Sequence, residues 1–199
     1  MDPLHKTPVL TAPSHCASGA IEHFLISSQD WWRHQISKTQ NTTGLATIPI
    51  LGQTYQIIHK PTLKRVEFNH ETREIMLSKA TGDPKSVIYP HLVKLATPLF
   101  EEYSREYAQR LNVHYIDLRL RDYRARWGAC KHDKRLVYSW RLIMAPLDVL
   151  RYVCAHEVAH LRHFNHSPDF WATVAALMPD YKIHKNWLKQ NGNSLFTAF

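Results

Sequence analysis

Residues 151–171 read RYVCAHEVAHLRHFNHSPDFW, with four histidines in eleven positions and a single glutamate. Imidazoles at that density suggest a metal, because a neutral ring nitrogen is a good zinc ligand and several rings can share one ion. His156 and His160 are four residues apart. On a helix this puts both rings on one face, about 6 Å apart along the axis, where each can reach one ion at about 2.0–2.1 Å. Glu157 follows the first histidine and points about 100° around the helix. There it does not ligate easily, but it can lie beside a water on the ion. His-Glu-x-x-His therefore reads as two ligands and a general base.

A third ligand must lie downstream, and no glutamate follows Glu157. His163, His166, Asp169, Asp180 and His184 remain. On a straight helix His163 is carried about 4.5 Å beyond His160, too far to close a tetrahedron. His166 can close it if the helix ends and the chain turns, and Asn165 tolerates the left-handed conformation that ends helices. Ser167, Pro168 and Asp169 then read as the N-cap, first position and first turn of a new helix. Three histidines with an open fourth position form a catalytic zinc arrangement, one ion per chain. Zinc so held lowers the pKa of its water toward ~7, and Glu157 accepts the proton and passes it to a leaving amine. Tyr181 and His184 are possible oxyanion donors. Phe170 and Trp171 fall at core spacing and are expected to pack under the site.

Other elements must hold this segment in place. Pro146 and Asp148 suit the start of the histidine helix, and Leu147, Leu150, Val153, Cys154, Val158 and Leu161 mark its buried stripe. YIDLRLRDY (115–123) alternates as a half-buried strand, with Ile116, Leu118 and Leu120 on one side. RLVYSWRL (135–142) is a second strand, with residues 131–134 as the turn region between them. If 135–142 is an edge strand, a substrate chain can pair with it. Trp127 and Gly128 suggest a tight turn beside a bulky anchor. Residues 88–111 have helical spacing through Leu92, Leu95, Leu99, Tyr103, Tyr107 and Leu111, with Pro98 expected to kink or begin the helix. Short β-rich runs over 45–79 predict a small antiparallel sheet. Residues 1–19 read as a loose tail, 21–38 as a helix with Phe24, Trp31, Trp32 and Ile36 as anchors, and 38–44 as a linker. The fold class is α+β, with residues 1–44 set apart from a domain over 45–199.

Composition limits the setting. The 199 residues are 44% apolar, enough for one cored domain. The net charge of +8 favours acidic partners such as nucleic acid or nucleotides. Residues 113–141 hold eight Lys/Arg against three Asp, with Arg119 and Arg121 on the polar strand face and Arg124 and Arg126 following. A polyanion groove and a solvated sheet face both account for that pattern. Cys16, Cys130 and Cys154 build no disulfide framework, which points to a reducing compartment. The N-terminus lacks an apolar signal region and no run approaches a membrane span, so the expected location is the cytoplasm, without membrane contact.

The run YRARWGACKHDKRLVYSWRLIMAPLDVLRYVCAHEVAHLRHFNHSPDFWATVAALMPDYKIHKNWLK (123–189) resembles the YgjP-like metallopeptidase family of small zincin-like proteins. The motifs that carry the resemblance are Arg126-Trp127-Gly128-Ala129-Cys130, Ser139-Trp140-Arg141-Leu142, Ala145-Pro146, His156 to His160, Asn165-His166-Ser167, Phe170-Trp171 and Met178-Pro179-Asp180-Tyr181. Residues 45–122 fit more loosely, and the first 40 show no recognisable counterpart. The resemblance implies a zincin-like domain with zinc at His156, His160 and His166, Glu157 as the base, and a peptide or protein substrate. It places Arg126, Trp127, Ser139 and Tyr181 among residues that could handle substrate. The chain departs from the family pattern at Ala129, usually Ser, at Ser139, often Asn, and at Val158, often Leu; the first two bear on substrate handling. The layout is more distantly similar to SprT-type proteases, which act on DNA-bound protein.

Two other functions use the same features. A metal-dependent nucleotide phosphohydrolase would exploit the basic strands, although the chain has no Gly-rich phosphate loop and no carboxylate cluster for magnesium. A nucleic-acid-binding module would use the metal structurally, and a nucleic-acid-associated protease would combine both roles.

Overall fold

The computed structural model describes residues 17–29, 46–78, 82–123 and 125–199. Cys16, Trp31, Trp32, Ile36, the linker over 38–44 and Arg124 lie outside the described residues. The chain divides into units of residues 1–45 and 46–199. In the first unit a helix, α1, spans Ser18–Ser27. The expected anchor Phe24 is exposed on it.

The second unit is α+β, with two small sheets packed around helices. The first sheet contains β1 (Thr47–Ile50), β2 (Gln53–Lys60), β3 (Glu67–Asn69) and β4 (Glu74–Ser78) in the order β1-β2-β4-β3. It is mixed rather than purely antiparallel, because β2 and β4 run parallel. The short β3 forms a hairpin with β4 on the far edge, leaving β4 free to pair with β2. Asn69 sets that hairpin, its Oδ1 accepting from the N–H groups of Glu71 and Thr72. Leu51 and Gly52 join β1 to β2 at positive φ, as a two-residue hairpin requires. The Leu51 N–H bonds the Ile143 carbonyl, and a Cβ on Gly52 would stand 3.2 Å from Pro146 Cα. The hairpin tip thus rests on the start of the histidine helix.

Helix α2 (Pro84–Leu111) begins at an Asp83 cap with Pro84 in its first turn, and ends at Asn112 in the left-handed region. It continues through Pro90 and Pro98. Both prolines are exposed, so the carbonyls they leave unpaired face water. Its buried stripe is Ile88, Leu92, Ala96, Phe100, Ser104, Tyr107 and Leu111, while Leu95, Leu99 and Tyr103 are only half-buried. The small residues Ala96 and Ser104 face the core, where Ser104 Oγ hydrogen-bonds the buried Tyr138 hydroxyl.

The second sheet contains β5 (Asp117–Arg121), β6 (Gly128–Cys130) and β7 (Arg135–Ser139) in the order β5-β7-β6. β5 pairs parallel with β7, and β6 pairs antiparallel with it. The turn over 131–134 therefore joins β6 to β7 rather than β5 to β7. Lys134 adopts positive φ there, in a three-residue hairpin loop. Ile116 is exposed, whereas Leu118 and Leu120 are half-buried. β7 ends at Ser139 and a buried 3-10 turn, Trp140–Met144, follows. Helices α3 (Leu147–Ala159), α4 (Pro168–Leu177) and α5 (Tyr181–Thr197) complete the unit. Among the described residues no helix is long and apolar enough to cross a membrane.

Buried Arg141 ties α5 to the second sheet. It donates to both carboxylate oxygens of Asp122, at 2.7 and 3.2 Å, and to the carbonyls of Leu195 and Phe199. Trp127 stacks on Phe196 of α5 and rests on Gly192, where a Cβ would stand 2.9 Å from the indole.

Candidate metal centre and active site

α3 is the central helix, with α2, α4, α5 and β6 packed around it. Leu150, Val153, Cys154 and Val158 are buried, as their spacing predicts, but so are Val149, Tyr152 and Glu157. The helix ends at Ala159, earlier than the sequence suggests, and the N–H groups of Arg162 and His163 return to the Ala159 carbonyl. Asn165 is not left-handed. The turn after Ala159 has already redirected the chain, so no special residue is needed at 165. Ser167 caps α4, its Oγ accepting from Phe170 N–H, and Pro168 and Asp169 occupy the first turn.

This path brings His166 back over the helix. Ligand atoms of His156, His160 and His166 all lie within 4.8 Å of one another. The three ring centroids are 4.9–5.0 Å apart, and Nε2 of His156 is 3.1 Å from Nε2 of His166. Two nitrogens bound to one tetrahedral zinc stand about 3.3 Å apart, so the cluster has the dimensions of a metal site. The donor chemistry also fits. His160 Nδ1 donates to the His163 carbonyl at 2.9 Å, which leaves the Nε2 lone pair for an ion. Burial, together with the neighbouring His160, His166 and Lys185, holds the His156 imidazole down to about 3. Burial also lowers His160, against the pull of the His163 carbonyl. Neutral rings are the ligating form. The buried Nδ1 of His156 has no hydrogen-bond partner among the described residues.

Phe170 forms the floor. It is fully buried, with ring centroids 4.9, 4.5 and 4.8 Å from His156, His160 and His166. Trp171 stacks against His166 at 5.6 Å and against Tyr181 at 5.4 Å. Lys185 Nζ stands 3.8 Å from the centre of the Trp171 ring.

Glu157 points away from Phe170, toward β6. Its side chain lies against Gly128, leaving no room for a Cβ there, so this glycine serves close approach rather than a turn. Burial pushes its carboxyl up to about 8, opposed by the Cys130 backbone N–H and the Arg126 guanidinium. A cavity of about 290 Å³ lies between β6 and the histidines, with Glu157 and Arg126 in its walls.

The other residues picked from the sequence have other placements. Ser139 is fully buried and its hydroxyl donates to the Tyr123 carbonyl. The Trp127 ring is held by α5. Tyr181 is buried and stacks on Tyr152 and Trp171, and His184 bonds Asp180 at 3.1 Å. None of these four lines the cavity, whereas Arg126 does. β7 is the middle strand of its sheet, so the edge beside the histidines belongs to β6. The three-residue β6 is too short for a periodicity signal. Its wall residues His132 and Phe164 also escape sequence reading, because each sits in a turn. In the basic stretch, Arg119, Arg135 and Arg141 are paired with Asp117, Asp133 and Asp122. Those pairs engage all three Asp of the stretch and leave it net positive.

The family model for the YgjP-like metallopeptidase domain matches residues 2–191. The chain belongs to the YgjP-like metallopeptidase family. No curated protein matches the chain. The YgjP-like match covers far more than the motif-rich third, and includes residues 2–40, where the sequence alone offered no counterpart. A YgjP-like protein is a metal-dependent hydrolase acting on peptides, and the three-histidine cluster is suited to hold that metal.

Proposed function

We propose that the protein is a zinc-dependent peptidase in which His156, His160 and His166 hold one zinc ion per chain and Glu157 is the general base. The observation that carries this reading is the convergence of three imidazoles beside a buried carboxyl in one cleft. Zinc bound there supplies a Lewis acid for the substrate carbonyl and lowers the pKa of a water. Glu157 takes the proton of the attacking water and delivers it to the leaving nitrogen. Gly128 lets the Glu157 carboxyl seat directly against β6 while it does so. The outer edge of β6 offers main-chain groups to an extended substrate, which would pair with it as an added strand. Arg126, at the head of β6, is the substrate-binding residue best supported by its place in the cleft.

The test is Glu157→Gln. Peptide cleavage should fall by at least about a thousandfold with zinc content still near one per chain. Undiminished cleavage by the purified variant would remove Glu157 from the reaction.

A further inference from the structure

The cleft has two chemically different ends. β6 forms one wall, with Arg126 before it and His132 after it. Three extended residues span about 10 Å. At the His132 end the imidazole stacks on Phe164, with centroids 5.6 Å apart and planes 27° from parallel. These two rings come from separate elements, the β6–β7 turn and the connection between α3 and α4, so together they close that end of the cavity. Phe164 is 64% exposed. A phenyl ring lining a cavity and open to water gains free energy when an apolar group covers it.

At the other end the Arg126 guanidinium lies over the Tyr123 ring, 5.7 Å from its centroid. Among the described residues no carboxylate forms an ion pair with it, although it acts on Glu157 through its field. A guanidinium in that position is set up to take a carboxylate through two parallel hydrogen bonds. A cavity of about 290 Å³ is at the small end for ligand sites, so it takes only a few residues.

We propose that the cleft selects a short extended peptide segment carrying an aromatic side chain at the His132–Phe164 end and a carboxylate at the Arg126 end. The carboxylate is either the peptide C-terminus or an acidic side chain. This selectivity rests on the peptidase reading above, but it can be measured without turnover.

The experiment uses the full chain as the zinc-loaded Glu157→Gln variant, titrated calorimetrically with synthetic tetrapeptides. Phe or Ala is placed at each position in turn, with a free C-terminus, a C-terminal amide, or an amide plus one internal Asp. The best Phe peptide should bind about tenfold tighter than its Ala counterpart, and adding Phe164→Ala should bring that ratio close to one. Amidation should weaken binding about tenfold. Recovery by Asp identifies an acidic side chain as the ligand, and no recovery identifies the C-terminus. Either preference should vanish in Arg126→Gln. Both residues are exposed, so circular dichroism should be unchanged. A Phe-to-Ala ratio that survives Phe164→Ala, an acid preference that survives Arg126→Gln, or no binding of any peptide at millimolar concentration overturns the proposal. Cleavage by the wild type is assayed in parallel. Selective binding without cleavage would remove the peptidase reading alone, and cleavage without selectivity would remove this inference alone.

Discussion

A Cβ placed on Gly128 would stand 2.6 Å from Oε1 and 2.7 Å from Cγ of Glu157. The edge strand and the glutamate of the histidine helix are therefore in contact at a point where only hydrogen fits. The backbone N–H of the neighbouring Cys130 favours the charged form of the same carboxyl. β6 thus serves as the template that orients Glu157, which ties the glycine of the Arg-Trp-Gly motif to the chemistry of the helix.

Gly128→Ala should fold, because the group it displaces is a side chain rather than backbone. The methyl must push the Glu157 carboxyl aside, and a misplacement near 1 Å costs about a hundredfold in rate. We expect kcat for peptide cleavage to fall by about that factor with zinc stoichiometry unchanged. Full kcat in this variant would mean that the position of Glu157 is not set by β6.

Phe170→Ala should weaken both fold and site. Removing a fully buried phenyl costs about 3–5 kcal/mol, which urea unfolding will show as a lower midpoint. The same ring supports all three imidazoles, so zinc affinity should drop about 10- to 100-fold. An unaltered zinc affinity would show that the rings hold their positions without it.

Much of this site was legible in the sequence because its signals are local. The four-residue spacing of His156 and His160, and the Ser167-Pro168-Asp169 helix start, depend on helix geometry alone. What the sequence hid was set by tertiary pairing. β6 is three residues long and is a strand only because β7 lies beside it. β7 was legible as a strand, but its place in the middle of the sheet depends on β5 and β6 flanking it. The end of α3 at Ala159 was also hidden, since His160 keeps helical dihedrals while the next N–H groups bond differently. Ala96 and Ser104 lie in the buried stripe of α2, where hydrophobicity alone selects the leucines at 95 and 99 instead.

Cys130 should be a sluggish thiol. Burial, then the negative fields of Glu157 and Asp133, push it from 9.0 up to about 11. The shift disfavours the charged form, so the thiol stays neutral until the pH nears 11. At pH 8 it holds about a hundredfold less thiolate than an unshifted thiol. Its iodoacetamide labelling, resolved by peptide mapping, should climb through pH 10–11. A plateau already reached by pH 9 would contradict this.

Arg141→Met should destabilise the C-terminal helix. It strands the Leu195 and Phe199 carbonyls and removes the Arg141–Asp122 ion pair. Because Asp122 is half-exposed, the cost should be on the order of 2–3 kcal/mol, below that of breaking a fully buried pair. Hydrogen exchange should report the loss first in α5. Equal protection of α5 in both proteins would show that Arg141 does not anchor it.

The most direct measurement is equilibrium zinc binding to the wild-type chain and to His166→Ala. The wild type should bind one ion per chain, and loss of the third imidazole should weaken binding by at least about a hundredfold. The same stoichiometry and affinity in both proteins would contradict a centre built from His156, His160 and His166.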